Sequence, residues 1–122
     1  MGDLRKDTYA AKRYLKQIER ARVKGIEFSL SLSDFARIVA RKKCYYTGVE
    51  MVKAIGENST DGNLLTLDRI DNSKGYIKGN VVACTRSANC LKGIWEDPEI
   101  KLTVENARDV ALKTIATLKR IG

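Results

Sequence analysis

The chain contains no histidine, which removes the commonest general base and the commonest zinc ligand together. Side chains with the right chemistry gather instead in one stretch, LTLDRIDNSKGYIKGNVVACTRSANCLKG, with Asp68, Arg69, Asp71, Asn80 and Asn89 in order along it. Taken singly, Asp68 reads as a turn residue, Asn80 as a strand-entry residue and Asn89 as a surface helix residue. Taken together, with Gly75 between two short strands and Lys92 at the end, chance explains the series poorly. The thiols suggest less. Cys44, Cys84 and Cys90 leave an odd one and do not suggest a disulfide framework. Thr47 stands three residues after Cys44 and Ser87 three after Cys84, so the four ligands of a structural zinc site are missing. All three cysteines read as small buried apolar residues.

The elements that must position these residues follow from periodicity. Residues 4 to 24 are helix formers with apolar side chains at helical spacing: Leu4, Ala11, Leu15, Ile18 and Ala21. Arg5, Lys6, Lys12, Arg13, Lys16, Arg20, Arg22 and Lys24 fill the other faces, and Gly25 is the stop. That basic helix either packs by one stripe or lies against phosphates. Ile26 to Leu30 alternates like a short strand, and Ser33 then caps a helix whose apolar face holds Phe35, Ile38 and Val39. Cys44 to Gly48 makes an abrupt turn, and Gly56 to Asn63 reads as an exposed loop. Leu64 to Ile70 and Asn80 to Cys84 are strands, joined through the turn-forming Asp71 to Gly75. A helix over residues 85 to 92 ends at Gly93, and a last one spans Val104 to Ile121, capped near Thr103. Tyr45 and Trp95 are expected to pack, and Tyr76 to sit under the loop between the strands.

A length of 122 residues suits a single domain, divisible into a basic helical part (1–43), a central core (44–93) and a C-terminal helix (94–122). Apolar content of 43% argues against disorder, and a formal charge of +8 favours phosphate backbones as partners. No hydrophobic run reaches the roughly 20 residues needed to span a bilayer. The start MGDLRKDTYAAKRYLKQ lacks a signal peptide's apolar stretch and matches a myristoylation signal only weakly. A cytoplasmic protein with reduced thiols and no membrane partner is expected.

The segment Leu67 to Lys92 resembles the HNH (ββα-metal) nuclease motif, in a form common among phage-type proteins. Asp68 matches the motif's aspartate, Asn80 its central asparagine, Asn89 its helix ligand and Lys92 the lysine that often follows. Cys44-x-x-Thr47-Gly48 is similar to the element that commonly precedes the motif, so the resemblance covers roughly residues 44 to 93. It implies an α+β fold: a ββα-metal hairpin-helix core flanked by N-terminal and C-terminal helices. It also implies a DNA endonuclease or nickase using Mg²⁺ or Mn²⁺ held by Asp68 and Asn89. A hairpin would bring an oxygen from each to one hard cation, which keeps several waters of its own. Asn80 would tie the loop through side-chain to backbone hydrogen bonds, and Lys74, Lys78, Arg86 and Lys92 would hold the DNA backbone. The family's base is usually a histidine directly after the aspartate, and here that position is Arg69. Because Arg69 stays protonated, it is expected to contact phosphate. The base is then Asp71, Tyr76, Tyr45 or Tyr46, or else metal-bound water. The alternative is an inactive HNH-like module that binds DNA, or a host or phage protein with an acidic surface.

Overall fold

The computed structural model describes residues 4–53 and 61–121, with side chains from residue 8 onward. The Met-Gly start and most of the Gly56 to Asn63 loop lie outside the described residues, as do the side chains of Leu4, Arg5 and Lys6. Among the described residues the fold is mixed α+β: four α-helices, α1 (Leu4–Lys24), α2 (Leu32–Val39), α3 (Arg86–Glu96) and α4 (Val104–Ile121), and one two-stranded antiparallel sheet of β1 (Leu65–Arg69) and β2 (Val81–Thr85). Two compact units result, Met1–Asn89 and Cys90–Gly122, so the division falls inside α3.

In the first unit, α1 ends where the sequence places its stop. Gly25 takes φ +68°, its N–H donates to Arg22 O (3.2 Å), and the N–H of Ile26 donates to Ala21 O (2.9 Å). That pair of bonds satisfies two carbonyls left open at the helix end. The buried stripe differs from the expected one. Ala10, Gln17 and Ala21 are buried, with Tyr14 beside them, while Leu15 is 67% exposed. Tyr14 sets this rotation. Its ring meets Phe28 and Phe35 edge-on at 5.5 and 5.3 Å, and its hydroxyl donates to Leu30 O (2.7 Å). A tyrosine that buries its ring usually gives its hydroxyl a partner, and this one does. The cap of α2 is Ser31 rather than Ser33, its Oγ accepting from Asp34 N (3.0 Å). The expected strand at 26–30 is reduced to a bridge between Phe28 and Tyr76.

The hairpin register is Leu65↔Thr85, Thr66↔Cys84, Leu67↔Ala83, Asp68↔Val82 and Arg69↔Val81. Side chains alternate across a strand, so Leu65, Leu67 and Arg69 share one face while Thr66 and Asp68 share the other. Leu65, Val81 and Ala83 join Leu30, Phe35, Val39, Cys44 and Met51 in the core.

In the second unit, α3 runs past Gly93 to Glu96 instead of stopping there, and Lys92 pairs with Glu96 (2.5 Å) across that glycine. Asp97 then caps a short 3-10 turn at Pro98–Ile100. Thr103 caps α4 as expected, with Oγ1 accepting from Asn106 N (3.0 Å). No residue of α4 is buried, and Trp95, expected to pack, is 57% exposed. Among the described residues no helix is long and apolar enough to cross a membrane.

Candidate functional site

Asp68 lies near the end of β1, only 7% exposed, a costly place for a carboxylate without partners. The Tyr46 hydroxyl supplies one, donating to Asp68 Oδ2 (2.5 Å). Tyr46 arrives there because the turn after Cys44 is pinned to β2. The N–H of Tyr45 donates to Ala83 O (3.0 Å), Gly48 N to Cys44 O (2.9 Å), and Thr85 N to the Cys44 sulfur (3.3 Å). Gly48 at φ +73° allows the chain to turn back so tightly.

Asn89 comes from the first turn of α3, which Thr85 caps through its Oγ1 and Ala88 N (3.2 Å). Its Nδ2 donates to Leu67 O and to Thr66 Oγ1, both at 3.2 Å. A carbonyl can only accept, so this bond fixes which end of the amide is nitrogen and turns Oδ1 away from the strand. Thr66 in turn donates to Cys84 O (3.0 Å) across the hairpin. Asn89 is therefore bonded to the residue directly before Asp68 and to the one two before, on Asp68's own face. The structure thus holds the Asn89 side chain against β1 next to Asp68, with its amide nitrogen toward the strand.

Asn80, buried at 6% exposure, holds the loop between the strands. Its Oδ1 accepts from Asp71 N (2.9 Å), and its Nδ2 donates to Asp71 O (3.1 Å) and Gly75 O (2.9 Å). The loop is held against residue 27 as well, with Tyr76 N donating to Glu27 O (2.8 Å). Gly75 sits so close there that a Cβ would stand 2.5 Å from Glu27 O.

Arg69 stands apart from Asp68, as alternation along the strand requires. Its NH1 donates to Asn72 O (3.1 Å) and Lys74 O (2.9 Å), and its guanidinium lies 5.4 Å from the centre of the Tyr76 ring. It acts as a loop brace on the face away from Asp68. The Asp71 carboxylate accepts from Ser73 N (2.9 Å) and Ser73 Oγ (2.6 Å), forming a turn. Tyr76 packs on Phe28 with ring centres 5.7 Å apart. Lys74, Lys78 and Arg86 are exposed, and Lys92 belongs to the second unit.

The thiols divide. Cys44 and Cys84 are buried as expected, whereas Cys90 is exposed, correcting its reading as a buried residue. Tyr45 is 59% exposed, so it too departs from the packing role expected of it. Burial pushes the Cys44 thiol up, but hydrogen bonds from the Thr47 side chain and the backbones of Thr85, Thr47 and Tyr46 outweigh it. The net result is a thiol lowered to about 7.

Thr66 and the pairing of Tyr46 with Asp68 escape the sequence reading. A hydroxyl two residues before Asp68 was the available signal for Thr66, because residues i and i+2 share a face. No local spacing marks Tyr46 as Asp68's partner, which lies 22 residues away. Among the described residues, no group of three or more Cys, Asp or Glu side chains is placed to hold a metal ion. A hard, partly hydrated cation would have to take its oxygens from Asp68 and from Asn89 Oδ1, the end of that amide away from Leu67 and Thr66.

No family model matches the chain, and no solved structure matches it at a significant level. The chain is 33% identical over 80 residues to an uncharacterized 29.0 kDa protein from the dda-modA intergenic region of Enterobacteria phage T4; this covers 66% of the chain and 30% of that protein. It is 30% identical over 89 residues to an uncharacterized protein of Acanthamoeba polyphaga mimivirus, covering 73% of the chain and 15% of that protein. The chain thus spans less than a third of the length of these curated relatives.

Proposed function

We propose that the chain is an HNH-type DNA endonuclease or nickase, with β1, β2 and the start of α3 as its ββα core. The observation that carries this reading is the placement of Asn89, at the start of α3, against the residues that precede Asp68 in β1. The Asn89 amide is fixed to Leu67 and Thr66, beside a buried Asp68. Two oxygen ligands at the junction of a hairpin and a helix suit Mg²⁺ or Mn²⁺, which keep most of their shell as water. Once bound, such an ion would stabilise charge on the leaving oxygen of a phosphodiester. Asn80 holds the loop between the strands, and Arg69 braces the same loop from the other face. Lys74, Lys78 and Arg86 are exposed close by in sequence and supply phosphate contacts, in keeping with the formal charge of +8. Likeness to proteins of a phage and a giant virus supports a viral setting within an infected cell.

One observation favours a second reading, a module that binds without cutting. Arg69 stands where a base is expected, with NH1 committed to loop carbonyls, and Asp71 holds Ser73. Its partner would be DNA, or an acidic protein surface of the host or phage.

The test is conversion of supercoiled plasmid in Mg²⁺, Mn²⁺ and EDTA, beside Asp68→Ala and Asn89→Ala. Metal-dependent nicking is expected, with a loss on the order of 100-fold or more in each variant. Salt-sensitive DNA binding without cleavage in any metal would replace the nuclease with the binding module.

A further inference from the structure

Resting on the nuclease reading, we infer that Tyr46 is a positioning residue for the cation: it orients Asp68 rather than acting as the base. The Tyr46 hydroxyl donates to Asp68 Oδ2 (2.5 Å), and donating a proton in a hydrogen bond is the opposite of accepting one from water. A carboxylate on a strand still turns about its last torsion, which is broad and two-fold. A donor held on one oxygen stops that turning and leaves the carboxylate plane fixed for a cation. Partners behind a metal ligand set affinity in this way.

Tyr46 is itself held from two sides. Its backbone follows a turn docked on β2 through Tyr45 N to Ala83 O (3.0 Å) and Thr85 N to the Cys44 sulfur (3.3 Å). Its ring lies edge-on to Tyr45, with centres 5.0 Å apart and planes at 84°. Because Tyr46 is 41% exposed, its ring is not a core element whose loss would unfold the chain. Tyr46→Phe keeps the ring and removes only the donor. The turn from Cys44 to Gly48 thus has a task in a protein that lacks the zinc ligands usual for such a turn: it delivers a hydroxyl to the ligand of a different cation.

The test is Mn²⁺ binding, followed by electron paramagnetic resonance of the free ion, for wild type, Tyr46→Phe, Tyr45→Phe and Asp68→Asn. Melting is measured in parallel in EDTA and in Mn²⁺. Binding should weaken about 10- to 100-fold in Tyr46→Phe, stay unchanged in Tyr45→Phe and disappear in Asp68→Asn. Melting of Tyr46→Phe in EDTA should fall modestly, because buried Asp68 loses a partner, and the increment given by Mn²⁺ should shrink in addition. Wild-type affinity in Tyr46→Phe, alongside loss in Asp68→Asn, overturns this inference and leaves the metal reading standing. An equal drop in melting with and without Mn²⁺ makes Tyr46 merely structural and also overturns it. Absence of Mn²⁺ binding by the wild type overturns both.

Discussion

Cys44 is a core thiol that behaves unlike the core around it. It is 3% exposed, yet hydrogen bonds bring it down to about 7, against an unfolded thiol near 9.0. A folded value below the unfolded one means that the folded chain binds fewer protons between those limits. Stability from this group is therefore absent below about pH 7, grows between pH 7 and 9, and is complete above that. The gain is on the order of 3 kcal/mol. Urea unfolding under reducing conditions at pH 6.5, 8 and 9.5 should show wild type gaining stability across this window, with Cys44→Ala losing the gain. A parallel slope in Cys44→Ala would assign the pH dependence to another group. The thiol's burial is legible from sequence, because cysteine is so often an apolar residue. Its lowering is only partly so: Thr47, the largest lowering cause, lies three residues on, while Thr85 reaches the sulfur from 41 residues away.

The loop between β1 and β2, residues 70–80, matters most among the elements, since it fixes the span between Asp68 and the strand that returns to α3. Asn80 holds it with three side-chain bonds to backbone. At about 1 kcal/mol each, Asn80→Ala should lose roughly 3 kcal/mol in chemical denaturation. Asn80→Asp should lose at least as much, since a carboxylate oxygen would then face the carbonyls of Asp71 and Gly75. Gly75→Ala should cost about 1 to 3 kcal/mol, because its Cβ would meet rigid Glu27 backbone at 2.5 Å. If Gly75→Ala unfolds like wild type, the contact with residue 27 is softer than its distance implies. The elements themselves are largely readable beforehand: α1 ends at Gly25, both strands fall within a residue of expectation, and Thr103 caps α4. Local chemistry decides those points. The stripe of α1 is decided elsewhere in the chain, by Tyr14 against Phe28 and Phe35, whereas the cap at Ser31 and the Lys92–Glu96 pair across Gly93 are local features that the sequence reading missed.

Across the whole molecule, burial is uneven. Every buried residue of the described chain lies in the first unit, while Val104, Val110, Leu112, Ile115, Leu118 and Ile121 along α4 are all about half exposed or more. A helix with no buried residue opens locally without exposing a core. Native-state hydrogen exchange should show β1 and β2 amides protected close to the global limit and α4 amides exchanging far faster. Equal protection would mean that α4 is buried against something in solution. The pairing of β1 with β2 also limits how the chain can change in length. Deleting one residue between Leu65 and Asp68, with Leu65 kept in the core, would send Asp68 to the apolar face and bring Arg69 round beside Asn89. Residue types at this site can drift one at a time, but β1 can change its length only by two. In any lineage of such chains, the spacing from the core leucine to the aspartate should hold its parity longer than the side chains between them hold their identity.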